Sequence, residues 1–136
     1  MITGIAHLCY IVRDLDVSID FYCNKLGLRP AFDFRNDQGE LTGIYILVGG
    51  RNFIELFPGT PQQSVEETSF SHLCLEVDNI DTTIVELNAK GVATSAPIRP
   101  EGDMSWQTWI SDPDGNRIEL HAYTPESKQL LALTSK

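Results

Sequence analysis

A short apolar run headed by a histidine, HLCYIV (7–12), is nearly repeated at 72–77, HLCLEV, and each reads as a strand. Alternation sends successive side chains to opposite faces of a strand. In the first stretch Leu8, Tyr10 and Val12 share one face, and His7, Cys9 and Ile11 share the other. In the second, Leu73, Leu75 and Val77 oppose His72, Cys74 and Glu76. FIELF (53–57) sets Ile54 and Leu56 against Phe53, Glu55 and Phe57. RIELHA (117–122) sets Ile118 and Leu120 against Arg117, Glu119 and His121. After the first strand the period lengthens. Ile19, Tyr22, Cys23 and Leu26 recur at helical spacing, Asp14 or Asp16 is placed to cap the helix, and Gly27 to end it in a left-handed turn. A second helix is predicted over about 81–90, stopped by Gly91. Further strands are predicted over 28–34, 43–48 and 52–57, with Gly49-Gly50 as a tight turn. In the second half they are predicted over 92–98, 106–111 and 116–123, with DPDG (112–115) as the turn. A last helix over 125–134 has Thr124 as its cap and Pro125 in its first turn, and Leu130, Leu131 and Leu133 are expected to pack back.

The order strand, helix, three strands is therefore written twice. His7 falls on His72 at an offset of 65 (72 − 7), with Leu8 on Leu73, Cys9 on Cys74 and Val12 on Val77. The segment 45–57, YILVGGRNFIELF, falls on 109–121, WISDPDGNRIELH, at an offset of 64 (119 − 55). Two matches in one order at nearly one offset indicate an internal duplication. The halves are about 1–60 and 71–124. A linker over 58–70, rich in Pro, Ser, Thr and Gln and without periodicity, joins them.

A chain of 136 residues suits one domain and can bury roughly 65–70% of its unfolded surface. No apolar run approaches the 18 residues or so of a membrane helix, and MITGIAHL has no basic start or apolar core of a signal peptide. Three cysteines, an odd number without a C-x-x-C, fit a reducing, cytoplasmic setting. Ten basic against nineteen acidic residues give a net charge of −9, which disfavours nucleic acid and anionic membranes as partners.

The alternation places His7, Glu55, His72 and Glu119 at matched positions of duplicated strands, each flanked by apolar residues. A carboxylate in such surroundings costs several kcal/mol unless it is compensated, and a divalent cation compensates two at once. Two imidazoles and two carboxylates suit Zn2+, Ni2+, Co2+, Mn2+ or Fe2+. The lack of a thiolate ligand set argues against a closed structural zinc site.

With this doubled βαβββ order, the four residues above, DLDVSIDFYCNKLGL (14–28) and DPDGNRIEL (112–120), the chain resembles the vicinal-oxygen-chelate superfamily. That group holds glyoxalase I, methylmalonyl-CoA epimerase, extradiol dioxygenases, fosfomycin-resistance thiol transferases and bleomycin-resistance proteins. The resemblance spans about residues 4–123. It implies an α+β fold in which two tandem βαβββ modules form a curved mixed sheet with helices on the outer face. It also implies one divalent metal held by His7, Glu55, His72 and Glu119, the ligand order of bacterial glyoxalase I. Epimerases of the group usually carry Gln where Glu55 stands, and dioxygenases and fosfomycin enzymes typically lack a ligand there. Two departures concern substrate: Ile11 stands where glyoxalase I has an Arg for glutathione, and Gly59 where it has an Asn. The pocket face offers Cys9, Ile11, Phe53, Phe57, Cys74, Arg117 and His121 instead. Arg117 is a candidate holder of a substrate carboxylate, and His121 is placed at the rim. Residues 99–106 are taken as a loop, and Trp106 and Trp109 as sheet packing.

The implied reaction is a metal-dependent lyase or isomerase step of glyoxalase type. A proton moves between neighbouring carbons of a small oxygen-chelating substrate, with Glu119 or Glu55 as base. The alternatives are a ring-cleaving dioxygenase using Fe2+ and a non-catalytic protein that sequesters a drug. The resemblance further implies a homodimer.

Overall fold

The computed structural model describes residues 1–61 and 69–134. Residues 62–68 of the expected linker lie outside the described residues. The chain divides into two compact units, Met1–Glu67 and Thr68–Lys136. Each is a small layer of sheet and helix, which makes the fold mixed α+β with two sheets.

In the first unit, β1 (His7–Val12) leads to α1 (Leu15–Ile19), a π-helical turn over Asp20–Lys25, β2 (Arg29–Arg35), β3 (Leu41–Gly49) and β4 (Asn52–Pro58). Asp14, not Asp16, caps α1: its carboxylate accepts from the Val17 amide at 3.0 Å. The helix does not stay α-helical to its end. The wider π turn brings the adjacent rings of Phe21 and Tyr22 inward together. The buried residues are therefore Leu15, Ser18, Phe21 and Tyr22, while Ile19, Cys23 and Leu26 of the expected stripe are only half-buried. Gly27, at φ 75°, turns the chain out of the helix as expected.

The sheet runs β1-β4-β3-β2, with β1 parallel to β4 and the other pairs antiparallel. Tyr10, Val12, Ile54 and Leu56 are buried on the face that the alternation assigned to the core, and Ile44 and Ile46, across from Leu56 and Ile54, are buried with them. The β3–β4 hairpin closes with Gly50 at φ 53°. Its register shifts by one residue between Leu47 and Gly49, which is a β-bulge.

In the second unit, β5 (Leu73–Glu76) leads to α2 (Ile80–Ala89), β6 (Trp106–Ser111), β7 (Arg117–Ala122) and α3 (Lys128–Thr134). Asn79 caps α2 by accepting from the Thr82 amide at 3.0 Å. Gly91 at φ 77° ends it, and the Val92 amide reaches back to the Leu87 carbonyl at 2.9 Å. The sheet order is β5-β7-β6, again with the first pair parallel and the second antiparallel. In the turn before β7, Asp112 accepts from the amides of Asp114 and Asn116 at 2.9 and 2.8 Å, and Gly115 adopts φ 84°.

Two expectations for this unit fail. The strand over 92–98 is reduced to an isolated bridge, Ile98 to Gln107. Pro97 has no amide to donate and Pro100 follows closely, so the ladder cannot propagate. The final helix starts at Lys128, after a turn in which the Ser127 hydroxyl accepts from the Thr124 amide at 2.7 Å. Its leucines do not pack back: Leu131 is 51% and Leu133 81% exposed, and only Leu130 is half-buried. Polar contacts hold its start instead. Ser105 donates to Ser127 at 2.7 Å, the Lys128 amide to the Asp103 carbonyl at 2.9 Å, and the Gln129 side chain to Asp103 at 3.2 Å.

Candidate functional site

The same local arrangement recurs in each unit. In the first, the parallel register sets Cys9 beside Glu55, and the antiparallel register sets Tyr45 on its other side. In the second, Cys74 lies beside Glu119 and Trp109 across from it. Each glutamate is flanked by a cysteine and an aromatic residue, and a histidine sits two residues before each cysteine. The ring of His7 meets Tyr45 edge-on at 5.5 Å, and that of His72 meets Trp109 edge-on at 4.7 Å. The duplicated sequence thus folds into duplicated half-sites: His7, Cys9, Tyr45 and Glu55 in one unit, His72, Cys74, Trp109 and Glu119 in the other. Tyr45 is a residue that the alternation alone does not single out. Its one sequence signal is the offset of 64 that pairs it with Trp109 (109 − 45).

The first half-site holds its carboxylate with neutral donors. The Cys9 thiol and the Tyr45 hydroxyl both hydrogen-bond to Glu55. Desolvation, that hydrogen bond and the carboxylate's charge push the Cys9 thiol up to about 11. The Tyr45 hydroxyl is also raised, first by its hydrogen bond to Glu55. An aromatic wall surrounds them. Phe32 stacks on Tyr45 at 4.7 Å, Phe34 on Phe57 at 5.7 Å, and Phe53 meets Tyr45 at 5.8 Å. The expected pocket residues Phe53 and Phe57 belong to this wall. Ile11, at the far end of the same face of β1, is exposed. A Cβ on Gly59 would stand 2.7 Å from Ile11 Cγ2, so the two residues that differ from glyoxalase I are close neighbours.

The second half-site holds its carboxylate with two imidazoles. His72 Nε2 lies 3.1 Å from Glu119 Oε2, and His121 Nδ1 lies 2.9 Å from Glu119 Oε1. The Ser71 hydroxyl donates to His72 Nδ1 at 2.9 Å and orients that ring. His121 was expected at a solvent rim; it is 5% exposed, and Glu119 is 8% exposed. The reason is that β7 is the central strand of its sheet, covered on both faces from Ile118 to Ala122. His121 Nε2 has no hydrogen-bond partner and lies 3.9 Å from Asp103 Oδ2. Partial burial raises the Asp103 carboxyl, yet hydrogen bonds from Ser105 and Gln129, the His121 charge and a bond from Gln107 bring it below its ordinary value. Desolvation, then the charges of Glu119 and Asp103, push the Cys74 thiol up to about 12. Arg117, the expected carboxylate holder, lies over the Trp109 ring at 4.3 Å, so Trp109 serves as a platform as well as sheet packing.

His72 and Glu119 fit a bound dication. Two adjacent ligands at about 2.1 Å from an octahedral ion stand about 3 Å apart, and His72 Nε2 and Glu119 Oε2 are 3.1 Å apart. A buried carboxylate held by two imidazoles, with a thiol alongside, is the environment in which a cation replaces protons.

Among the described residues no helix is long and apolar enough to cross a membrane. A family model, the Glyoxalase/Bleomycin resistance protein/Dioxygenase superfamily, matches residues 4–120. A probable lactoylglutathione lyase of Synechocystis sp. is 32% identical over 123 residues, covering 84% of this chain and 91% of its own length. A probable lactoylglutathione lyase of Vibrio parahaemolyticus is 30% identical over 121 residues, covering 85% and 88%. The solved structure of SMU.1112c matches with a TM-score of 0.78 at 22% identity, covering 89% of this chain and 99% of that one, a likeness of fold. The duplicated half-sites, the family match over most of the length and the related lyases agree, and the chain belongs to the Glyoxalase/Bleomycin resistance protein/Dioxygenase superfamily.

Proposed function

We propose that the protein is a divalent-metal-dependent lyase or isomerase of glyoxalase type, acting by proton transfer on a small substrate with two neighbouring oxygens. His7, Glu55, His72 and Glu119 are the ligands in this reading. Residues 1–136 then act as one domain, assembled as a homodimer in the cytoplasm. Three free thiols and an acidic surface are compatible with that setting. The observation that carries the reading is the matched pair of half-sites, with His72 Nε2 and Glu119 Oε2 already at a spacing that adjacent metal ligands adopt. The ion, when bound, supplies Lewis acidity for charge that develops on a substrate oxygen.

The chain's own residues divide the remaining work. Glu119 is buried, and both its oxygens are engaged by imidazoles, so it is the anchor. Glu55 is half-buried, and its thiol and phenol donors carry no charge. It is the carboxylate that can take up and return a proton, and Tyr45 and Cys9 orient it. Phe32, Phe34, Phe53 and Phe57 line its surroundings with apolar surface, which favours the apolar part of a substrate and sheds water. Ile11 beside Gly59 leaves no polar anchor there for a glutathione carboxylate, so a smaller thiol adduct or an α-hydroxycarbonyl is the favoured substrate class.

The test is metal analysis of the purified protein, then turnover assays with methylglyoxal and several thiols under Ni2+, Co2+, Zn2+ and Mn2+. Glu55→Gln is expected to lower kcat by about a hundredfold or more while keeping much of the metal. Glu119→Gln is expected to lose metal affinity. Full turnover in Glu55→Gln, or protein that takes up no divalent ion, removes the proposal.

A further inference from the structure

Duplication left a difference of charge beside the two histidines. In the first unit the parallel register of β1 and β4 sets Phe53 level with His7. In the second, Leu73 is level with Ile118, so Arg117 stands one step earlier, level with His72. Arg117 is the duplicate of Phe53 at the offset of 64 (117 − 53). It opens β7, is exposed, and lies on the face that carries Glu119 and His121. We propose that Arg117 binds a carboxylate of the substrate. The substrate is then an anionic member of the class named above, an α-hydroxycarbonyl or thiol adduct with an acid group a few bonds from its neighbouring oxygens. This inference rests on the proposed function and narrows its substrate.

Three observations support it. The guanidinium carbon of Arg117 lies 4.3 Å from the centre of the Trp109 ring, and that ring meets the His72 ring edge-on at 4.7 Å. The indole thus holds the cationic head group within roughly 10 Å of the His72 ring, near enough for one small molecule to meet both. Secondly, no hydrogen bond or ion pair among the described residues claims the Arg117 donors, in a chain with nineteen Asp and Glu. A planar fork of N–H groups left open in this way suits a two-oxygen acceptor, which it can bind through two parallel hydrogen bonds. The third is charge. Two imidazoles and two carboxylates around a dication make a centre of no net charge, and the chain as a whole carries −9. Neither draws in an anion, so Arg117 supplies that attraction locally.

The position also divides the labour between duplicates. Phe53 beside His7 belongs to the aromatic wall and offers apolar surface. Arg117 beside His72 offers charge, and Trp109, the duplicate of Tyr45, is its platform.

The test compares two thiols of one size, 3-mercaptopropanoate and 3-mercaptopropanamide, as adducts of methylglyoxal. The wild-type chain is expected to favour the carboxylate adduct by at least about tenfold in kcat/KM. Arg117→Gln should bring that ratio to within about twofold of unity, and Arg117→Lys should keep part of it, because an ammonium has charge without the fork. Binding is read without turnover from the Arg117 Nε–H resonance of 15N-labelled protein. It should move with the carboxylate thiol and not with the amide, before and after Zn2+ is added. Turnover of both adducts without preference, equal losses on both in Arg117→Gln, or a resonance indifferent to the carboxylate overturns the anionic substrate and leaves the proposed chemistry standing. A resonance that moves with the carboxylate, in protein that turns over neither adduct, removes the proposed reaction and keeps Arg117 as an anion site. Neither turnover nor a shift sinks both readings together.

Discussion

Glu55 and Glu119 occupy equivalent positions yet are held by different chemistry. A thiol and a phenol hold the first; two imidazoles hold the second. The cysteines beside them are shifted first by burial and then by the charge of those carboxylates. Both thiols are raised, to about 11 at Cys9 and about 12 at Cys74. At pH 8 their thiolate fractions in metal-free protein are therefore on the order of 10⁻³ and 10⁻⁴. Labelling of either by a disulfide reagent is expected to be slow despite their exposure, and to quicken about tenfold per pH unit until pH 10. A rate that levels off below about pH 9.5 at both positions would show that burial and the neighbouring carboxylates do not raise these thiols. The same shifts enter stability. A raised pKa means that the native state keeps a proton the unfolded chain releases near pH 9. The contribution is whole below pH 9 and fades as pH rises through 11. At Ile11 and Gly59 the lesson is steric: any side chain on residue 59 meets Ile11 Cγ2, so an Asn there would require a smaller or displaced residue 11.

At the scale of elements, the helix caps were legible because they depend on near neighbours. An acceptor at Asp14 meets an amide three residues on, and glycine at 27 and 91 accepts a left-handed turn; the Asn79 cap of α2, which was not among the expectations, follows the same local rule. What failed needed distant partners. The stretch 92–98 has the composition of a weak strand, and Pro97 interrupts its pairing. The leucines of α3 suggest a packed helix, yet a buried hydroxyl pair holds its start. Ser105 and Ser127 are both fully buried, and Ser127 also accepts from the Thr124 amide. Ser127→Ala leaves that amide and the Ser105 hydroxyl without their partner. The expected cost is about 1–3 kcal/mol in urea unfolding, with little change in the slope of the transition. A loss below about 0.5 kcal/mol would mean that the α3 junction relaxes around the gap.

For the whole molecule, a net charge of −9 makes any bound dication a relief of repulsion as well as a ligand. An ion that binds only the native chain adds RT ln(1 + [L]/Kd), about 2.7 kcal/mol at a hundredfold excess over Kd. For a chain of 136 residues this raises Tm by about 5–10 °C. The increase should reverse with a chelator and should not be reproduced by Na+ at equal ionic strength, which separates ligation from screening. Identical melting with and without Ni2+, Co2+, Zn2+ and Mn2+ would count against every metal reading above.

The sequence by itself determined the duplication, the strand and helix order apart from the stretch 92–98, the face on which each strand side chain lies, and the residues His7, Cys9, Glu55, His72, Cys74 and Glu119 on one set of faces. Those follow from period and offset, which are properties of the chain alone. Tertiary structure decided who stands next to whom. Gly49 pairs with Asn52, and without the bulge that count would put Ile46 across from Glu55; the one-residue shift puts Tyr45 there instead. It also buried His121, because β7 became a central strand, and it gave each oxygen of Glu119 its own imidazole. Alternation specifies a face, but register and burial depend on bulges and on neighbouring strands, whose positions only the folded sheet settles.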